Sequence, residues 1–284
     1  MLDDTIQFRA MTAEDIPAGL KLCRLSRWNQ SQRDWELFLT LSPTGCLVAV
    51  KNDQVVGTVT TVSYQYHISW IGMVLVDPAE RRQGIGARLM REALNVLEGQ
   101  SLVGLDATPA GREVYLKLGF ADESVISRME TVVAEFPRNE SNARPLTEAD
   151  WPQVFELDRT VFGADRSQML KWMFAAAPEF SWVLSREDKV VGFALGRHGF
   201  SFDHIGPVIA EDIQSAKQLV AACLTGQSGK QFILDAARYD AEWLRWLESI
   251  GFNEQHQLVR MFRGEAPRPG RPEKQFAILG PEVG

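Results

Sequence analysis

The chain has 284 residues, 45% of them apolar and 24% charged, and carries a formal net charge of −7. That length exceeds one average domain and suits two, and the composition is globular rather than disordered. The acidic balance argues against nucleic acid as a partner and toward a cationic ligand, with plain solubility as the blander explanation. No uncharged apolar run reaches membrane-spanning length, which argues against a membrane partner. The opening MLDDTIQFRAMTAED is too polar and acidic for a secretory leader. Cys23, Cys46 and Cys223 show no metal-ligand spacing and cannot all pair within one chain, so a reducing cytoplasm is expected.

In chain order, helical patterning in AEDIPAGLKLCRLS and SQRDWELFLTL precedes three strand patterns, CLVAVKN, VVGTVTTVSYQ and SWIGMVLV. A helix follows at about Gly84 to Leu97, with Ile85, Leu89, Ala93 and Val96 on one face. Then come strand LVGLDA, helix AGREVYLKLG and strand ISRMETVVAE. Thr12 and Thr147, each before acidic residues, read as helix N-caps. Toward the end, the short apolar run in QFAILG is expected to add an edge strand. Strands and helices in this order indicate an α/β (α+β) fold with helices covering a mixed sheet.

The second half repeats the first. DQVVGTVT, WIGMVLV, GLDATPAGREVYLKLGF and SRME return as DKVVGFAL, HIGPVIA, ILDAARYDAEWLRWLESIGF and VRMF. Gly57 corresponds to Gly192, Gly72 to Gly206, Asp106 to Asp235, Gly119-Phe120 to Gly251-Phe252, and Arg128-Met129 to Arg260-Met261. Two homologous domains are expected, 1–138 and 139–284, joined within PRNESNARPLTEAD (residues 137–150).

One stretch has no counterpart in the second half. VDPAERRQGIGARLM, from Val76, places two glycines where a strand hands over to a helix. The first amides of a helix lack internal partners and carry partial positive charge. Gly84 and Gly86 remove Cβ atoms that would hold a phosphate off, and Arg81, Arg82 and Arg88 add charge. A plain tight turn is the alternative; the flanking strand, helix and arginines favour a diphosphate cradle.

Arg81-Arg82-Gln83-Gly84-Ile85-Gly86, after Val76-Asp77-Pro78, resembles the acyl-CoA-binding motif of the GNAT (GCN5-related) N-acetyltransferases. VYLKLGF, Val114 to Phe120, resembles that family's later tyrosine-bearing motif. The whole chain is similar to the bacterial tandem arrangement, a GNAT domain followed by a degenerate one. The resemblance implies two tandem GNAT-like domains, each with a mixed, splayed sheet. It implies an acetyl-CoA (CoA) site formed by Met73, Val74, Leu75, Val76, Arg81, Arg82, Gln83, Gly84, Ile85, Gly86 and Ala87, with Thr108 and Gly111 as weaker candidates. It also implies a backbone donor near Val74 or Leu75 for the developing oxyanion, and Tyr115 as general acid toward the departing thiolate. A core tyrosine packed beside CoA is the alternative for Tyr115.

The second half offers Glu211 and Asp212 before its helix and no glycine there. An acidic helix start repels phosphate, so no CoA site is expected in that domain, which would wall the substrate pocket or complete the fold. A base is not evident. Asp106 has Asp235 as its counterpart in the half without catalysis, which favours a structural role; His67, His198 and His204 are open candidates. The cysteines lie in apolar surroundings that favour inert thiols. Trp28, Asn29 and Gln30, in RWNQSQRDW, fall where the family lines its acceptor site, with closure of the core edge as the equal alternative for Trp28, whereas Trp35 reads as core. Asp165 and Arg166 read as a helix-start ion pair, with a place facing the pocket as the alternative. The expected activity is transfer of an acetyl group to a primary amine of a small molecule (amino sugar, amino acid or polyamine) by a monomer or homodimer. Alternatives are a protein lysine or N-terminal acetyltransferase and a non-catalytic acetyl-CoA sensor.

Overall fold

The computed structural model describes residues 6–65, 67–134 and 141–284. Residues 137–140 of the expected join lie outside them, as does Glu135 at the end of the ISRMETVVAE strand. The chain forms two compact units that are not contiguous in sequence. The first comprises Met1–Asp122, Met261–Ala266 and Glu282–Gly284, and the second Glu123–Arg260 and Pro267–Pro281.

The first unit runs β1 (Gln7–Ala10), α1 (Ile16–Leu25), α2 (Gln32–Leu41), β2 (Leu47–Lys51), β3 (Gln54–Tyr64), β4 (Ile68–Val76), α3 (Ile85–Val96), β5 (Val103–Ala107) and α4 (Pro109–Leu116). Its strand order is β1-β2-β3-β4-β5. The first three neighbouring pairs are antiparallel and β4–β5 is parallel. The β-branched run of β3 suits a pleated surface and is buried over most of its length. Before α1 the Thr12 amide donates to Asp15 Oδ2 (2.8 Å), and before α2 the Ser31 amide donates to Asp34 Oδ2 (2.6 Å); such side chains satisfy the free ends of helices. Helix α3 buries Ile85, Leu89, Met90 and Ala93. Val96, expected on that face, is 42% exposed, while Leu97 after it is 4% exposed, so at its C-terminal end α3 turns Leu97 rather than Val96 inward.

After α4, β6 (Ala121–Val132) passes into the second unit, which continues with β7 (Arg144–Pro145), α5 (Trp151–Phe162), α6 (Ser167–Ala176), β8 (Trp182–Arg186), β9 (Lys189–Arg197), β10 (Asp203–Ala210), α7 (Ile213–Leu224), β11 (Gln231–Ala237), α8 (Ala241–Ser249), β12 (Asn253–Arg263) and β13 (Gln275–Ala277). The second unit's order is β12-β6-β11-β13-β10-β9-β8-β7. Strands β6 and β12, the SRME and VRMF repeats, are therefore exchanged. β6 pairs antiparallel with β11, while Met261–Arg263 of β12 belong to the first unit, where Phe262 meets the Trp70 indole edge to face at 5.8 Å.

The aligned glycines serve equivalent ends. A Cβ on Gly57 would stand 3.0 Å from the Leu75 carbonyl oxygen and 3.0 Å from Leu89; on Gly192 it would stand 2.9 Å from the Ile209 carbonyl oxygen and 3.0 Å from Leu219. Each lets a helix close onto its sheet.

The apolar C-terminal run departs from expectation. β13 is not an edge strand but lies between β10 and β11, with Ala277 opposite Val208 on one side and Ala236 on the other. Gln275, Phe276, Ala277 and Ile278 are all buried. A run this apolar is more stable inside a sheet than on its rim. Asp165 and Arg166 also depart from expectation. Arg166 is buried against Asp158 (Nη2–Oδ1 2.9 Å), whereas Asp165 caps the Ser167 amide (2.8 Å) and faces Arg159 (3.5 Å). A fully desolvated guanidinium takes the bidentate partner that the preceding helix offers.

Candidate active site

The first unit contains a gap between parallel strands. β4 and β5 are in register only at Ser69↔Val103 and Trp70↔Gly104, although β4 continues to Val76 and β5 to Ala107. Within β4 a bulge sits at the opening. Thr58 is opposite Leu75 and Thr60 opposite Gly72, so Met73 and Val74 together face the single residue Val59. Met73 has φ +51°, a left-handed conformation that costs a non-glycine residue roughly 1–2 kcal/mol. The Thr58 hydroxyl donates to the Met73 carbonyl at 2.8 Å. Because a trans peptide directs its C=O and N–H oppositely, the Val74 N–H points away from the Thr58 hydroxyl that holds this carbonyl. No sequence signal announced this bulge; bulges commonly re-aim groups beside active sites.

At the end of β4 the chain enters a short 3₁₀ turn, Pro78–Glu80, and reaches α3 through Arg81–Gly84. The turn is held locally. Asp77 Oδ1 accepts the Ala79 amide (3.0 Å), Arg81 Nε donates to the Val76 carbonyl (3.2 Å), and Glu80 takes both Lys51 (3.0 Å) and the Gln83 amide (2.9 Å). Arg82 and Gly84 adopt φ +65° and +85°, which gives Gly84 a conformational reason to be glycine. Gly84 offers α3 no side-chain cap, and the first amides of a helix, here Ile85, Gly86 and Ala87, have no partner within it. Gly86 has no such conformational reason. A Cβ there would meet only Val76 Cγ2, at an ordinary 3.5 Å. Arg81 and Arg82 are exposed beside it, while Arg88 pairs with Glu92 (2.6 Å).

Beyond β5, Thr108 caps α4, its hydroxyl oxygen accepting the Gly111 amide at 3.2 Å. Gly111 and Tyr115 lie one helical turn apart and touch. A Cβ on Gly111 would stand 2.9 Å from Tyr115 Cε2 and 3.2 Å from its hydroxyl. Gly111 thus makes room for the phenol, a role its spacing to the motif did not suggest. The Tyr115 ring is half-buried, and desolvation pushes its phenol up to about 12. Gly119, at φ +85°, turns the chain so that the Phe120 amide donates back to the Tyr115 carbonyl (3.1 Å).

The α1–α2 loop holds Trp28, Asn29 and Gln30, all half-buried. Arg24 fixes its path, donating to the Trp28 and Gln30 carbonyls at 2.5 Å each, and the Trp28 amide donates to the Cys23 carbonyl at 2.8 Å. The Gln30 side-chain oxygen is buried without a hydrogen-bond partner. Trp35 is fully buried against Phe38 and Gly19. Asp106 is half-buried on β5 and engaged with its surroundings. Burial pushes the Cys23 and Cys46 thiols up to about 12. His67 lies exposed in the β3–β4 turn. In the second unit His198 bridges Asp203 (2.8 Å) and Glu179 (3.0 Å), and His204 is buried 3.3 Å from Asp235. A cleft of about 640 Å³ opens beside α3, lined by Arg91, Asn95, Leu118 and Arg263 among others. It takes in none of the residues expected to bind CoA.

The second unit repeats the scaffold and fills its gap. β10 and β11 are in parallel register only from Asp203↔Phe232 to Ile205↔Leu234, and β13 occupies the space beyond. Trp243, near the position corresponding to Tyr115, donates to the Phe276 carbonyl of this inserted strand at 2.9 Å. At the start of α7 the Asp212 carboxylate accepts the Ser215 amide (2.8 Å) and pairs with Arg186 (2.9 Å). The helix end that is open in α3 is thus closed by the chain itself. Asp235 is an ion-pair partner of Arg128 (2.7 and 2.8 Å) and its carboxyl is held far below the usual range.

Comparison with known proteins agrees with this geometry. Residues 13–120 match the acetyltransferase (GNAT) family and residues 154–277 an acetyltransferase (GNAT) domain. The chain is 28% identical over 259 residues to holothin acyltransferase of Pseudoalteromonas sp. (strain SANK 73390), covering 91% of this chain and 87% of that protein. In fold it resembles a putative acetyltransferase from Pyrococcus horikoshii (TM-score 0.84, 21% identity, 100% and 98% of the two chains). It also resembles a tandem GNAT protein from the clavulanic acid biosynthesis pathway (TM-score 0.62, 13% identity, 92% and 99%). The chain belongs to the GNAT acetyltransferases, as an acyltransferase with two tandem GNAT domains.

Proposed function

We propose that the protein transfers an acetyl group from acetyl-CoA to a primary amine of a small molecule, an amino sugar, amino acid or polyamine, in a single ternary complex. The observation that carries this reading is the asymmetry of the two units. One strand gap is open, beside an uncapped, glycine-bearing helix start; the other is filled by β13 and closed by Asp212. We therefore assign one carrier per chain, held by the first unit.

The residues fit such a carrier. The free amides at Ile85, Gly86 and Ala87, with Arg81 and Arg82 beside them, suit a diphosphate. The unpaired edge of β4 from Met73 to Val76 suits an extended pantetheine arm, which would add to it as a strand does. When bound, the thioester supplies an activated acyl group and a thiol leaving group. The Val74 N–H serves as donor to the oxygen where charge develops. Tyr115 stays protonated to about pH 12 and donates from its hydroxyl toward the departing sulfur. Thiols ionise near ~8.5, so complete transfer from this phenol is uphill. Its contribution is a hydrogen bond that strengthens as charge grows, with the proton following from the amine.

Trp28, Asn29 and Gln30 are assigned to the acceptor. The relative named for acyl transfer to holothin supports a catalytic reading over a sensor. The deciding experiment is a panel of primary amines assayed for free-thiol release from acetyl-CoA, with carrier binding followed by calorimetry. Binding without thiol release for any amine would leave only the sensor. Release with peptide amines alone would favour a protein acetyltransferase.

A further inference from the structure

Glu282, Val283 and Gly284 belong to the first unit and are buried, Glu282 to 3% exposure. Strand alternation places them. Gly57 and its partner Val76 face α3, since Gly57 meets Ile85 and Leu89. Thr58, Thr60, Val62 and Tyr64, with partners Leu75, Gly72, Trp70 and Ile68, therefore look to the other face. On that face the Tyr64 hydroxyl donates to the Val283 carbonyl at 2.9 Å, and Gly284 rests on the Trp70 indole. Glu282 covers Gly72. A Cβ on Gly72 would stand 2.5 Å from the Glu282 carbonyl oxygen, 2.7 Å from its Cα and 2.9 Å from its Cβ. Gly72 directly precedes the Met73 bulge, and the glycine lets this acid approach the strand. Cys23 of α1 lies close by. Its thiol is pushed up to about 12 mainly by burial, with Glu282 and Asp34 adding to the rise and Arg24 opposing it. Cys23 in turn holds the Trp28 amide. Glu282, 3% exposed, thus lies against the strand residue that precedes the bulge and within electrostatic reach of Cys23, whose carbonyl holds the start of the loop assigned to the acceptor.

We propose that Glu282 is the base that takes the acceptor's ammonium proton. This rests on the acyltransferase reading above. The ammonium gives one proton to the Glu282 carboxylate. The freed nitrogen lone pair forms the C–N bond to the acyl carbon, and the C–S bond breaks with its electron pair going to sulfur. The nitrogen's second proton reaches that sulfur through the Tyr115 hydroxyl, and Glu282 later returns its own proton to solvent. Burial beside the acceptor lowers an ammonium's hold on its proton and so eases its release to a neighbouring carboxylate. Cys23 interacts electrostatically with Glu282, Arg24 and Asp34, and Tyr64 bonds the neighbouring Val283 carbonyl.

The test compares wild type with Glu282→Gln, using the alkylamine of the panel that releases thiol fastest. At pH 7 the variant is expected to turn over about 10²-fold or more slowly. The deficit should shrink toward pH 10, where such an amine sheds its proton unaided, with acetyl-CoA binding unchanged. A rate loss constant across pH, or no loss, overturns the proposal. Should Glu282→Gln fail to fold, Glu282→Asp keeps the carboxylate and is expected to lower the rate with the wild-type pH profile; a shifted profile overturns the assignment. Wild type that binds no acetyl-CoA, or releases no thiol with any amine, instead refutes the parent reading.

Discussion

Replacing Gly86 with aspartate separates the cradle from the fold, because the two respond with opposite sign. The new Cβ meets only Val76 Cγ2 at 3.5 Å, so nothing must move. An acidic side chain in the first turn of a helix is worth roughly 0.3–1 kcal/mol, and removal of glycine adds a few tenths. Stability should therefore hold or rise, by about 1–4 °C in melting temperature. For a diphosphate the same carboxylate is repulsive. Two like unit charges ~6 Å apart repel by about 3 kcal/mol at an effective dielectric near 20. Halving that for an exposed site leaves ~1.5 kcal/mol per phosphate charge, and two phosphates lose about 100-fold in affinity. Calorimetry with CoA and a melting curve on the same sample measure both quantities. A variant that melts no lower and still binds CoA with wild-type affinity would refute the assignment of the α3 amides to the carrier.

Further consequences concern Tyr115, Gly111 and Asp235. Tyr115→Phe should lower turnover about 10²-fold with CoA affinity within roughly twofold, by thiol release and calorimetry. Gly111→Ala, whose methyl would stand 2.9 Å from the ring, should displace the phenol and reproduce most of that loss while the protein still binds CoA. The raised phenol also carries a sign for stability. The folded protein keeps the proton to about 12 while an unfolded tyrosine loses it near ~10, so the contribution present below that pH disappears as pH rises through this window. Asp235→Asn should cost about 3–5 kcal/mol in denaturant unfolding by stranding Arg128, and should leave CoA affinity in the first unit unchanged. Because the Asp235 carboxyl is held below its ordinary value, its contribution is present above roughly pH 4 and fades as pH falls further.

Much of the first unit was legible because its signals are local. The apolar and β-branched runs of β3 and β4, the 3.6-residue stripe of α3 and the glycine-rich handover are written in consecutive residues, and the paired blocks exposed the duplication. What escaped depends on partners far away in the chain. β1 and β7 are four and two residues long, too short for a period, and exist because a neighbouring strand completes them. The Met73 bulge arises from a one-residue mismatch between β3 and β4, which neither strand shows alone. The exchange of β6 and β12 is invisible to the repeat, since both strands carry the same pattern. The C-terminal run read as strand-forming, but its apolar character could not say whether it would lie on a rim or between β10 and β11. Glu282 gave no signal at all: a lone acid near the end of a chain acquires meaning only from the glycine it covers.

Gly72 and Gly206 show how one scaffold supports two outcomes. Both occupy the strand that borders the gap, and both lack a Cβ because the C-terminal segment lies against them. Glu282 approaches the first, while the Ile278 carbonyl oxygen would stand only 2.1 Å from a Cβ on the second. At Gly206 the approaching segment continues from β13, which satisfies the edges of β10 and β11 with the chain's own backbone. A gap closed in this way gains the buried area of Phe276, Ala277 and Ile278 and has no free edge to offer a ligand. At Gly72 the segment lays Glu282 against the face opposite α3 and leaves the β5 side of β4 open. The duplicated fold supplies a splayed strand pair twice. The placement of a few C-terminal residues fills one pair and leaves the other open.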